Sequence, residues 1–144
     1  MKKIIIAVLV LFASINTAFS QNADAVKGTW LSEYKDAKIE IYKSADKYAG
    51  KIVWTKDMYE ADGKTLKKDN KNTNESLRNR TIVNLVILTG FTYDDGEWTD
   101  GEIYDPKNGK TYKSKMKIKG SRLEVRGYVG SPMFGKTTLW TRVS

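Results

Sequence analysis

Gly28-Thr29-Trp30, read together with Trp140-Thr141-Arg142 far along the chain, decides the fold. Gly28 removes the side chain where the first extended run begins, so another element can approach its backbone closely. Trp30 brings a large apolar face and one N–H that needs a partner when buried. Arg142 follows a strand-like run, Thr137-Thr138-Leu139-Trp140-Thr141, and a guanidinium over an indole face is worth about 0.5–2 kcal/mol. In an up-and-down barrel, the first strand's start and the last strand's end pair antiparallel at one end only if the strand number is even. Stacking of Trp30 on Arg142 therefore demands an even count. The competing reading makes Trp30 a plain core residue and Arg142 a solvated tail.

The chain between these two pieces supplies that count. Short extended runs are expected at 29–34, 38–43, 48–55, 82–89, 97–104, 110–119, 122–129 and 136–143. Ile39 and Ile41 alternate with Lys38, Glu40 and Tyr42, the period of a half-buried strand. Tyr48, Gly50, Ile52 and Trp54 share a face of the third run. In the sixth, Tyr112, Ser114, Met116 and Ile118 oppose Lys113, Lys115, Lys117 and Lys119. Leu123, Val125 and Gly127 face inward in the seventh, which turns Arg126 outward by strict alternation. Residues 82–89 are nearly all apolar, and a turn region at 90–96 ends in the hairpin signal Asp95-Gly96. Asp105-Pro106-Lys107-Asn108-Gly109 is a strong loop signal. Residues 23–27 suit one helical turn, and Asn74 suits the cap of another through Leu77. The pattern predicts an all-β fold, an eight-stranded antiparallel up-and-down barrel whose interior holds side chains or one small ligand.

Loops of such a barrel alternate between ends. The connections at 56–80, 105–109 and 130–135 share one end, opposite the termini, and that end is the expected mouth. A loop as long as 56–80 in a compact domain is either functional or disordered. The best site candidates gather near it: Asp69, Asn72, Arg80, Tyr104, Asp105, Arg126 and Tyr128, with Trp54 on the inner wall and Met133 and Phe134 at the rim. An apolar cavity needs only a few placed polar groups to orient a ligand, and Arg80 or Arg126 could grip a carboxylate in a two-pronged bond. The competing reading pairs those arginines with Asp69 and Asp105 to order the long loop, since buried charges need partners. Met133 and Phe134 suit an entrance or lid; the alternative is a cap on the core.

Composition narrows the chemistry. The chain has no Cys and no His, which removes Ser-His-Asp and Cys-His nucleophilic sites, His or Cys zinc sites, haem ligation and redox dithiols. Asp94, Asp95, Glu97, Asp100 and Glu102 lack the spacing of a calcium loop. No metal, cofactor or catalytic residue is expected, and a carboxylate hydrolase on Asp69 and Asp105 has no motif behind it. Met1-Lys2-Lys3, the apolar run 4–13, and Ala18-x-Ser20 before Gln21 have the form of a signal peptide over residues 1–20. The mature domain is then 21–144, periplasmic or secreted, with no transmembrane segment. The formal charge of +8 falls to about +6 once Lys2 and Lys3 leave with the leader. Basic residues are not interleaved with exposed aromatics, so nucleic acid is not the expected partner. The lysine comb on the sixth strand suits solubility and edge protection.

Gly28-x-Trp30 with a late Arg142 on an eight-strand pattern resembles the lipocalin and wider calycin signature. More closely, the chain resembles DUF2147, a family of exported bacterial proteins of unknown function. The matching pieces are Gly28-Thr29-Trp30, Gly50-Lys51-Ile52-Val53-Trp54, Asp69 with Asn72, Gly101-Glu102-Ile103-Tyr104-Asp105-Pro106 with Gly109-Lys110-x-Tyr112, Leu123-Glu124-Val125-Arg126-Gly127-Tyr128, and Phe134-Gly135 before Trp140-Thr141-Arg142. One departure is Asn84-Leu85, where Gly-Leu is expected. The resemblance implies a lipocalin-like barrel outside the cytoplasm and no established catalytic residues. Two functions follow as expectations. One is a binding protein for a small hydrophobic or amphiphilic ligand that enters at the 56–80, 105–109 and 130–135 end. The other is a cell-envelope interaction module with a filled core that recognises protein or glycan.

Overall fold

In the computed structural model, which describes residues 22–144, eight antiparallel strands close into a barrel in sequence order. They are β1 (Gly28–Leu31), β2 (Ala37–Ser44), β3 (Lys47–Thr55), β4 (Val86–Asp94), β5 (Glu97–Asp105), β6 (Lys110–Lys119), β7 (Arg122–Tyr128) and β8 (Gly135–Arg142). The last strand returns to the first, with Trp30 opposite Arg142 and Leu31 opposite Thr141. The reading of residues 1–20 as a leader lies outside the described residues. Among the described residues, no helix is long and apolar enough to cross a membrane.

One end is plugged. A 3-10 turn, Ala23–Val26, lies across it, with Val26 fully buried. A turn laid across a barrel end leaves carbonyls that need donors, and each finds one. Trp30 Nε1 donates to Val26 O at 2.9 Å and Trp98 Nε1 to Ala23 O at 3.0 Å. Arg142 donates to Lys27 O at 2.8 Å and to Ala25 O. Asn22 O and Asp24 O accept from Ala25 N and Lys27 N. The Arg142 guanidinium carbon sits 4.2 Å from the centre of the Trp30 ring. Gly28 makes room for this: its φ is +131°, and a Cβ there would come 2.5 Å from Ser144 O and 2.7 Å from the Arg142 guanidinium. Above the plug, Trp30, Trp98, Phe91, Met116 and Leu123 fill the lower barrel with at most 1% of their surface exposed.

The fourth strand differs from the sequence expectation. It runs Val86–Asp94, not 82–89. Gly90 does not start a turn; it sits inside the strand at φ +73°, where the β3–β4 register slips between Tyr48 and Gly50, as an extra residue in one strand requires. The reversal is the two-residue turn Asp95-Gly96, both at positive φ between the paired Asp94 and Glu97. Residues 82–85 belong to the β3–β4 loop. There Asn84 has φ +72°, a left-handed conformation that Asn tolerates nearly as Gly does, which accounts for Asn at the position where Gly was expected.

Candidate functional site

Above the plugged end, the barrel opens into a cavity of about 1320 Å³ that spreads among the β1–β2, β3–β4, β5–β6 and β7–β8 loops. Its lower wall is apolar: Ile39, Ile52, Ile87, Ile103, Val125 and Trp140. Gly127 also faces it. A Cβ there would meet only carbons of Ile103 and Tyr112, at 3.5 and 3.7 Å, so this β7 position leaves space that a side chain would occupy. The rim is polar and carries Asp36, Asp105, Lys67, Lys68, Lys107 and Lys136 among others.

The expected site residues fall into three groups. Tyr104, Asp105, Tyr128, Met133 and Phe134 line the cavity. Met133 and Phe134 are 78% and 72% exposed, so they stand at the rim and do not cap the core. Asp69, Asn72 and Arg80 form a separate network behind the wall. The Tyr104 hydroxyl donates to Asp69 Oδ1 at 2.6 Å and Asn72 Nδ2 donates to Asp69 Oδ2 at 2.9 Å. Arg80 approaches the same Oδ2 at 3.5 Å. Asp69 is fully buried, with both oxygens engaged by protein. Burial and the hydrogen bond to Asp69 push the Tyr104 phenol up to about 12, so it stays a donor. The long loop is thus latched to β5. It also rests on the β5–β6 turn, where Gly109, at φ +73°, lets the Lys71 carbonyl approach to a point that a Cβ would occupy.

Trp54 and Arg126 do not face the cavity. The β2–β3 register slips between Lys38 and Ile39, so Lys38 pairs with Trp54 while Ile39 pairs with Ile52. The extra residue, Val53, reverses the alternation and turns Trp54 out with Lys38, whose ammonium lies 5.2 Å from the indole centre. Arg126 lies on the outer wall and grips the β7–β8 loop, donating to Pro132 O at 2.6 Å and Thr137 Oγ1 at 2.8 Å. It does not pair with Asp105.

The loops also meet one another across the mouth. Lys107, in the β5–β6 loop, lies 2.6 Å from Asp36 Oδ2 in the β1–β2 loop. In an eight-strand ring these loops are four strands apart, so the pair bridges opposite walls. Tyr34 sits beside it, with the Lys107 and Lys136 ammoniums 5.7 and 5.5 Å from its ring centre. Sequence reasoning missed this cluster and the lining lysines of the long loop. Tyr34, Lys107 and Lys136 are far apart in sequence, and nothing in their spacing joins them.

A family model described as an uncharacterized protein conserved in bacteria (DUF2147) matches residues 28–142. No curated protein matches the chain. Among solved structures, the chain is similar to protein HP1028 from the human pathogen Helicobacter pylori, described as belonging to the lipocalin family. The two are 25% identical, with a TM-score of 0.71 over 82% of each chain.

Proposed function

Because the chain belongs to the DUF2147 family and folds as a lipocalin-like barrel, we propose that it is an exported, non-enzymatic binding protein for a small hydrophobic or amphiphilic molecule. The ligand enters between the β3–β4, β5–β6 and β7–β8 loops. The observation that carries this reading is the cavity that opens at the loop end over an apolar floor made by the upper side of the packed core. The volume of about 1320 Å³ exceeds the roughly 300–1,000 Å³ of common small-molecule sites, so it leaves room for a ligand and for water at the rim. The alternative, an envelope module with a filled core, asks for a packed interior, and this space argues against it. Asp69 is a poor hydrolytic carboxylate, since Tyr104, Asn72 and Arg80 already occupy its oxygens.

The test is binding of the neutral apolar dye N-phenyl-1-naphthylamine. Fluorescence should rise on mixing with the mature protein, and Gly127→Leu, which fills the cavity from β7, should cut the affinity at least tenfold without unfolding the barrel. No enhancement with folded wild-type protein defeats the proposal. Export is tested separately: protein recovered from the cell envelope should begin at Gln21, and a chain that retains residues 1–20 would contradict the leader.

A further inference from the structure

The charged side chains on the cavity wall are not equally occupied. Of the lining carboxylates, Asp36 is held by Lys107 and by the Ser32 hydroxyl at 2.7 Å, Glu33 accepts from Leu139 N at 3.2 Å, and Asp105 accepts from Lys107 N at 2.9 Å. Of the lining lysines, Lys107 holds Asp36, Lys136 donates to the Tyr34 hydroxyl at 3.1 Å, and Lys71 donates to Lys107 O at 2.9 Å. Among the described residues, the charged lining side chains left with no hydrogen bond or ion pair are Asp57, Glu60, Lys56, Lys67 and Lys68, all in the β3–β4 loop. Four of these are exposed and water satisfies them. Lys67 is half-buried. Its backbone is fixed at both polar groups, with N–H to Met58 O at 3.0 Å and O from Ile82 N at 2.9 Å, yet its ammonium meets no hydrogen-bond or ion-pair partner among the described residues.

Lys67 thus brings to an apolar-walled cavity a cation that no side chain among the described residues neutralises, and an anionic group entering the cavity is drawn to it. We infer that Lys67 is the head-group contact of the cavity, and that the ligand is an anionic amphiphile. Its carboxylate or phosphate meets the Lys67 ammonium at the rim, and its single apolar chain lies along Ile39, Ile52, Ile87 and Val125 below. The contact is a point charge on a flexible stem, so it accepts either anion and does not demand the two-pronged geometry that an arginine would. This assignment rests on the cavity being a binding site.

The test uses four probes of one chain length, kept below their micellar concentrations: dodecanoic acid, dodecyl phosphate, dodecan-1-ol and dodecyltrimethylammonium. Each competes with N-phenyl-1-naphthylamine on the mature protein. The acid, the phosphate or both should bind at least tenfold more tightly than the alcohol, with the cation weakest; which anion wins identifies the head group. Lys67→Gln should remove that preference while leaving the alcohol and the dye unchanged, Lys67→Arg should keep it, and Lys68→Gln should not alter it. Equal affinity for acid and alcohol, or an intact preference in Lys67→Gln, overturns the assignment while the cavity stands as a neutral binding site. If the dye itself does not bind, the failure is that of the binding function, and the assignment falls with it.

Discussion

At the plugged end the Tyr48 hydroxyl donates to Asp24 Oδ1 at 2.6 Å, and at the open end the Tyr104 hydroxyl donates to Asp69 Oδ1 at 2.6 Å. Each bond ties a non-strand segment to the barrel: the 3-10 turn in one case, the long β3–β4 loop in the other. The surroundings differ. Asp24 is exposed, whereas Asp69 is fully buried and also meets Asn72 and Arg80. At the plug, the indoles of Trp30 and Trp98 and the guanidinium of Arg142 do most of the fastening, so the phenol bond is supplementary. At the mouth no aromatic plug exists, and the buried carboxylate carries the attachment. One end is closed by packing and can be dry; the other is shaped by polar bonds around a space that stays open.

Trp30→Ala tests the first half of that contrast and should have the largest effect. Truncating a buried Trp costs about 3–5 kcal/mol, and here it also removes the donor to Val26 O and the surface on which Arg142 rests. Arg142→Ala should rank next, since it frees Ala25 O and Lys27 O. Thermal unfolding should show both well below any single loop substitution. A melting temperature for Trp30→Ala equal to that of Lys113→Ala would break the claim that the plug holds the barrel.

Asp69→Ala tests the second half. It strands the Tyr104 hydroxyl and the Asn72 amide, and an unmet buried polar group costs about 1–3 kcal/mol. Asp24→Ala should cost less, because water can reach the Tyr48 hydroxyl where Asp24 stood. Hydrogen exchange sharpens the point: in Asp69→Ala the faster amides should lie within 67–80, while β1 and β8 keep their protection. Uniform loss across the barrel would mean that the long loop is part of the core and not a latched rim.

Those two ends were unequally legible in the sequence. Strand number, up-and-down order and the meeting of Trp30 with Arg142 follow from alternation and turn residues, which act locally. The fourth strand was displaced because Gly90 looks the same in a bulge as in a turn. Trp54 was turned outward by a one-residue slip opposite Lys38, and a slip of register leaves no mark in a single strand's pattern. Asp69, Asn72 and Tyr104 were picked out as a group, but the burial of Asp69 and Asn72 behind the wall goes with Gly109 meeting Lys71, a contact between distant segments. Lys67 stood inside a polar run with nothing to separate it from Lys68; only the path of the folded loop half-buries one and exposes the other.

Alkaline titration probes both phenol bonds at once. Burial is the larger cause, and with the neighbouring carboxylate it holds Tyr48 and Tyr104 each at about 12, against an ordinary value of 10.0. A raised folded value means stability that is fully present below pH 10 and lost as the pH climbs through 12. The wild type should therefore weaken across that interval, and Tyr104→Phe or Tyr48→Phe should each weaken less steeply over it. An unchanged slope in both variants would mean that neither phenol keeps its proton through folding.

The smallest effect on stability belongs to the bridge over the mouth. Burial pushes the Asp36 carboxyl up, but hydrogen bonds from Lys107 and Ser32 outweigh it and hold the group below its ordinary 3.8. The stability it adds is present above that value and is lost as the pH falls through the lower folded one. Lys107 is largely exposed, so the pair is worth about 0–1 kcal/mol, and Asp36→Asn should barely move the melting temperature. Its effect should appear in exchange. Because the pair joins loops four strands apart and so spans the mouth, a molecule entering beside the β5–β6 loop passes against it and is hindered while it holds. Salt screens such a pair, so raising ionic strength should speed release of a neutral dye from the wild type. Asp36→Asn should release fast at every salt concentration. Equal salt dependence in the two proteins would place the route of exchange elsewhere on the rim and leave the Lys107–Asp36 bridge as a brace between loops.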